Sequence, residues 1–128
     1  MVNQVKSVTF HGVSSVEVSV EVHIEPGLPN FNIVGLADKT IAESRERVRA
    51  AIASLGISVP SKRVIINLAP ADLVKEGSHF DLPIACALLC ALGVLPNDEL
   101  DQYIILGELS LNGSIVPISG ALPAAISA

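Results

Sequence analysis

The stretch Val16 to Glu25, VEVSVEVHIE, alternates without a break. Val16, Val18, Val20, Val22 and Ile24 fall on one side, and Glu17, Ser19, Glu21, His23 and Glu25 on the other. A period of two over ten residues is compatible with a β-strand and not with a helix. Because only one side is apolar, the strand must lie in a sheet with one buried and one solvated face. The preceding KSVTF, residues 6–10, reads as its hairpin partner, joined through His11-Gly12.

The remaining elements follow from punctuation and period. EPGLPN is a loop, set by two prolines and a glycine. FNIVGL is a short strand ending in a glycine turn, with Asp38 or Thr40 placed to cap the next helix. From Thr40 to Leu55, the residues Ile41, Val48, Ile52 and Leu55 form a helical stripe. Glu43 and Arg47 form an i,i+4 pair, and Gly56 stands where a left-handed C-terminal residue belongs. VPSKRVIINLAP gives a fourth strand, stopped by Pro70. A second helix spans Asp81 to Leu92 and ends at Gly93. QYIILGELSLNGSIVPI gives two strands around Asn112-Gly113. GALPAAISA begins a third helix at the end of the chain, which reads as cut from a longer protein.

The 128 residues suffice for one domain, residues 1–128. Half are hydrophobic, yet the aromatics are three Phe and one Tyr, so the core rests on Val, Ile, Leu and Ala. The longest apolar run, Leu82 to Leu95, contains Pro83 and is too short to span a bilayer. No N-terminal signal peptide is evident, and a cytoplasmic protein with no membrane contact is expected. Cys86 and Cys90 have no second Cys or His cluster to complete a metal site and read as small buried hydrophobes. A net charge of −5 disfavours a domain devoted to gripping phosphate backbones.

Two stretches resemble catalytic or binding loops. VGLADKT has the outline of a phosphate-binding loop, but the glycines needed one and six residues before Lys39 are replaced by Asp38 and Ile33. It reads as a helix start. KEGSHFDLPIA resembles the nucleophile turn of the Lon proteolytic domain. Aligned without gaps, His79 takes the serine's place and Leu122 the lysine's. Ser78 is one position early, and no lysine follows Lys75. A serine nucleophile needs a base to take its proton, so the dyad is missing. What is left of the turn, Lys75, Glu76, Gly77, Ser78, His79 and Asp81, makes a helix-start device. Gly77 allows tight geometry, Ser78 or His79 caps, and Asp81 complements the helix dipole.

Three long stretches, GLPNFNIVGLADKTIAESRERVRAAI, VIINLAPADLVKEGSHFDLPIACALL and LGELSLNGSIVPISGALPAA, are similar to the N-terminal, Lon-protease-like domain of the bacterial magnesium-chelatase-like AAA+ ATPases, the ComM/YifB group. The similarity runs from about Val8 to the end. It implies an α+β fold of the ribosomal protein S5 domain 2-like type, a mixed sheet packed with helices. It also implies a parent protein that is a hexameric, ATP-driven DNA motor acting in recombination and natural transformation. ATP and Mg2+ belong to the AAA+ module of such proteins, so this chain is expected to be no enzyme and to hold no cofactor or metal itself. Assembly and weak DNA contact are the expected tasks. The DNA-contact candidates are Lys39, Arg45, Arg47, Arg49, Lys62 and Arg63, six of the eight basic residues. On a helix Arg45 and Arg49 share a face, and Arg47 turns away from it at about 100° per residue. A pure protein-interaction or oligomerisation module is the alternative; residual peptidase and chelatase activities stand further back.

Overall fold

The computed structural model describes residues 3–11 and 14–116. The expected junction residue Gly12, Leu122 and the C-terminal helix start lie outside the described residues. Strands β1 (Asn3–His11), β2 (Ser14–Glu25), β3 (Asn30–Val34) and β4 (Arg63–Ala69) form one sheet in the order β1-β2-β4-β3. β1 and β2 are antiparallel, as are β2 and β4, whereas β3 runs parallel to β4. The parallel pair needs a crossover, which helix α1 (Asp38–Ser54) supplies. Helix α2 (Asp81–Ala91), a short α3 (Asn97–Leu100) and the two-residue strands β5 (Glu108–Leu109) and β6 (Ile115–Val116) complete an α+β architecture with a mixed sheet.

The alternating stretch is a strand, and its register carries the apolar row across the sheet. Val20 faces Val5 and Leu68, and Val22 faces Ile66, which in turn faces Ile33. Val18, Val20, Val22, Val64, Ile66 and Leu68 are fully buried under the two helices. α1 contributes Val48, Ala51 and Ile52 to this core, and α2 contributes Ile84, Ala87 and Leu88. Truncating a buried Leu or Ile such as Leu88 or Ile84 to Ala costs about 2–5 kcal/mol. Polar residues of β2 occupy the opposite face, where Glu21 accepts from Asn67 Nδ2 at 2.9 Å and Glu25 lies 3.3 Å from His23.

Several sequence expectations require correction. α1 starts at Asp38, and its N-cap is Ala37 with no side-chain cap, so neither Asp38 nor Thr40 caps it. Leu55 is exposed, standing at the C-cap just past the last helical residue. Ser44 and Ala51 take buried positions on that face instead. Among the described residues, which end at Val116, the hairpin around Asn112-Gly113 pairs Glu108–Leu109 with Ile115–Val116, its loop closed by Gly113 N–H to Ser110 O at 3.0 Å and Ser110 N–H to Ser114 O at 2.8 Å. Upstream, the QYII stretch contributes one parallel bridge, Ile104 to Lys6. Gly56 and Gly93 both have positive φ just past their helices, as expected.

Candidate functional site

The turn from Lys75 to Asp81 connects β4 to α2; Lys75, His79 and Asp81 are turned inward, whereas Glu76 is exposed. Lys75 is 3% exposed. Its ammonium donates to the carbonyls of Pro70 and Leu73, the latter at 2.7 Å, so the lysine fastens its own loop. Its stem lies against Gly35, where a Cβ would stand 3.2 Å from Lys75 Cε and 2.6 Å from the Leu68 carbonyl oxygen. The glycine of VGLADKT therefore permits close approach of two loops. Its φ of +106° also favours glycine.

Gly77 has φ +108°, and a Cβ there would sit 2.9 Å from His79 Nδ1. A single 3-10 turn, Ser78–Phe80, follows and runs directly into α2. Its N-cap is Gly77 with no side-chain cap bond, so Ser78 and His79 do not cap. Among the described residues the Ser78 hydroxyl has no side-chain hydrogen bond, in particular none to a basic group. His79 is 5% exposed, and Nε2 lies 2.7 Å from Val8 O. A carbonyl only accepts, so Nε2 carries the proton. The ring packs between Phe10 at 4.8 Å and Phe80 at 4.2 Å between centroids. Burial lowers its pKa below the ordinary histidine value, outweighing the Val8 hydrogen bond and the nearby Asp81 charge.

Asp81 has no solvent exposure. Oδ1 accepts from Ser44 Oγ at 2.7 Å and Arg47 Nη2 at 3.2 Å. Oδ2 accepts from Arg47 Nε at 2.5 Å and the Leu109 amide at 3.1 Å. The carboxylate thus ties α2 to α1 and to β5, rather than serving the dipole of its own helix alone. The same hydrogen bond raises the Arg47 pKa, with burial opposing it. The segment before β5 adds backbone bonds: Gly107 N–H to His79 O at 2.8 Å, Leu82 N–H to Gly107 O at 2.9 Å and Ile105 N–H to Lys6 O at 2.8 Å.

The sequence reading placed Asp81 in the turn but missed Ser44, the Arg47–Asp81 pair and Leu109. One signal was present: Ser44 sits in register with Ile41, Val48 and Ala51, a small hydroxyl on an otherwise apolar stripe. Such a residue, when buried, needs a hydrogen-bond partner. The Glu43–Arg47 pair exists at 3.8 Å, but Asp81 is the nearer carboxylate.

The six basic candidates do not form one stripe. Arg47 faces inward to Asp81, while Arg49, on the same helix, is exposed with its guanidinium 5.5 Å from the Phe31 ring centroid. Arg45 is half-buried, and Lys39, Lys62 and Arg63 are exposed. Arg63 Nε lies 3.4 Å from Glu25. Cys90 is buried and Cys86 half-buried; burial pushes the Cys86 thiol up to about 11 and raises that of Cys90. Among the described residues no cluster of three His, Cys, Asp or Glu is placed to hold a metal, and no helix is long and apolar enough to cross a membrane.

Comparison with known proteins bears on this arrangement. Residues 20–128 match the family model described as subunit ChlI of Mg-chelatase. The YifB protein of Escherichia coli is 49% identical over 117 residues, which cover 91% of this chain and 23% of that protein. The competence protein ComM of Haemophilus influenzae is 44% identical over the same share of each. A Mycobacterium tuberculosis protein is 43% identical over 95% of this chain and 24% of its own length. The chain thus spans about a quarter of the length of these relatives. From the family match and these identities, the chain belongs to the magnesium-chelatase-like ChlI family, in its ComM/YifB group.

Proposed function

We infer that this chain is a non-proteolytic scaffold domain of a ComM/YifB-type protein acting in DNA processing. The observation that carries the reading is the state of the turn. Lys75, His79 and Asp81 direct their hydrogen bonds to Pro70 and Leu73, Val8, and Ser44, Arg47 and Leu109 respectively. Among the described residues no side chain hydrogen-bonds the Ser78 hydroxyl, and the adjacent His79 ring is held on Val8 O, so no base is in place to accept its proton. A turn of Lon-like outline is thereby used to lock α1, α2 and β5 together. The order of elements suits an S5 domain 2-like fold.

The DNA part is supported by the 44% identity to a protein named for competence. In this reading ATP hydrolysis, with its Mg2+, belongs to an AAA+ module outside these residues, in a cytoplasmic homo-oligomer. The domain contributes subunit assembly and a weak, salt-sensitive DNA contact through exposed members of the basic set. The test uses a full-length ComM/YifB-type protein carrying this chain, assayed for ATP-dependent branch migration of a Holliday-type junction. Ser78→Ala leaves the rate unchanged, and Asp81→Asn lowers it together with oligomer content. A Ser78→Ala variant that loses activity while assembling normally would overturn the reading.

A pure oligomerisation module is the second reading. It is favoured by the acidic outer face of β2, where Glu17 is exposed and Glu21 and Glu25 are half-buried. Sedimentation separates the two: self-association without any affinity for DNA supports the second.

A further inference from the structure

The acidic chain concentrates exposed cations at one corner. The parallel register sets Asn30 opposite Arg63, and the Asn30 amide donates to Lys62 O at 3.2 Å, so the starts of β3 and β4 lie side by side. Phe31, the next residue, brings Arg49 of α1 over its ring at 5.5 Å. Three cations separated by up to fourteen positions thus border the same strand ends.

Two adjoining cavities open there. One of about 400 Å³ is lined by Arg49, Asn30, Ser58 and Ser61 among others, and one of about 470 Å³ by Arg63 and the Pro26–Asn30 loop. They share Pro29 and Asn30, and among the described residues no acidic one lines either cavity. Guanidinium, hydroxyl and amide groups are the donors that suit phosphate oxygens. Glu25 stands near Arg63 at 3.4 Å, but both side chains are more than a third exposed, so water screens that pair and a phosphate can displace it. Leu28, held between two prolines at the loop tip, is 88% exposed and presents an apolar surface beside the cations.

We propose that this corner is a nucleic-acid contact, taking the phosphates of a single strand on Arg49, Lys62 and Arg63, with Leu28 against a sugar or base. The assignment deepens the DNA-processing reading and rests on it. It selects three of the six basic candidates and leaves Arg47 to Asp81. Open, acid-free cavities with cations on both sides of one loop fit a polymer backbone better than a small enclosed ligand.

The test is fluorescence anisotropy of a labelled 20-nucleotide oligothymidylate titrated with the protein at 50 and 200 mM salt. Three phosphate contacts give a log–log salt slope of about −2. The triple variant Arg49→Gln, Lys62→Gln, Arg63→Gln weakens binding at least tenfold with an unchanged thermal midpoint. Lys6→Gln, on the other edge of the sheet, changes it less than twofold, and Leu28→Ala weakens it two- to fivefold with the salt slope intact. Equal binding by the triple variant and the parent overturns the assignment, as does no detectable binding at 50 mM salt. Capture of polyglutamate in preference to the oligonucleotide also overturns it and favours an acidic protein partner. Branch migration by the full-length protein separates this failure from that of the broader reading: if the triple variant migrates junctions at the parent rate, the corner is wrong and the DNA-processing function stands.

Discussion

Arg47 Nε and Asp81 Oδ2 meet at 2.5 Å across the α1–α2 interface, a guanidinium one-fifth exposed against a carboxylate that solvent does not reach. Removing either partner leaves the other without its ion pair. The cost is larger when the fully buried member is the one left behind. Arg47→Met is therefore expected to destabilise by about 3–5 kcal/mol, and Asp81→Asn by about 2–3 kcal/mol because Arg47 can reach water. The double variant costs less than the sum, as contacting residues do not add. Urea midpoints of the four proteins in one cycle measure this coupling.

Gly77 is constrained twice, by φ +108° and by the 2.9 Å approach of a Cβ to His79 Nδ1. Gly77→Ala should destabilise by about 1–3 kcal/mol through backbone strain and displacement of the imidazole. Ser78→Ala, one residue on, should fall within about 0.5 kcal/mol of the parent, because among the described residues the hydroxyl bonds no side chain. Thermal unfolding of the pair compares a structural glycine with a neighbouring serine of no structural weight.

Burial depresses the folded-state pKa of His79 below the ordinary value of about 6.5. Above 6.5 both folded and unfolded states are neutral at this ring and its full contribution is present. As pH falls below 6.5 the unfolded chain takes up the proton first, and stability is lost progressively until the folded pKa is passed. Unfolding free energy should therefore drop as pH falls below about 6.5, and His79→Gln should flatten that drop. An equal slope in the variant and the parent would remove His79 as its source.

Much of the fold was legible in the sequence, and the reasons are local. VEVSVEVHIE has one period and one apolar side, so the strand and its buried face follow from it, except that Val16 near the strand's start is 40% exposed. Gly56 and Gly93 mark helix ends because a positive φ is a local demand. The caps were misread for the opposite reason. Asp38, Thr40, Ser78 and His79 have capping chemistry, but tertiary packing set where each helix starts and where His79 points. The Asp81 network joins residues 37 and 34 positions apart and then 28 to Leu109, and no single-segment pattern carries such a pairing. The turn was recognised; what its side chains hold was not.

The two cysteines follow the same logic of burial. With its pKa pushed up to about 11, the Cys86 thiol is about one part in a thousand thiolate at pH 8. Alkylation by iodoacetamide at that pH should be about 100-fold slower in the native protein than in urea. Rapid modification of native Cys86 would show an environment unlike the α2 face described above.

The central claim is that the Lys75–Asp81 turn holds the domain together and does no acyl chemistry. Fluorophosphonate labelling followed by intact-mass measurement tests it most directly, since the reagent reports an activated serine whatever the substrate. Prolonged incubation at pH 8 should leave the mass unchanged in the parent and in Ser78→Ala alike. A stoichiometric adduct mapped to Ser78, absent from Ser78→Ala, would contradict the claim.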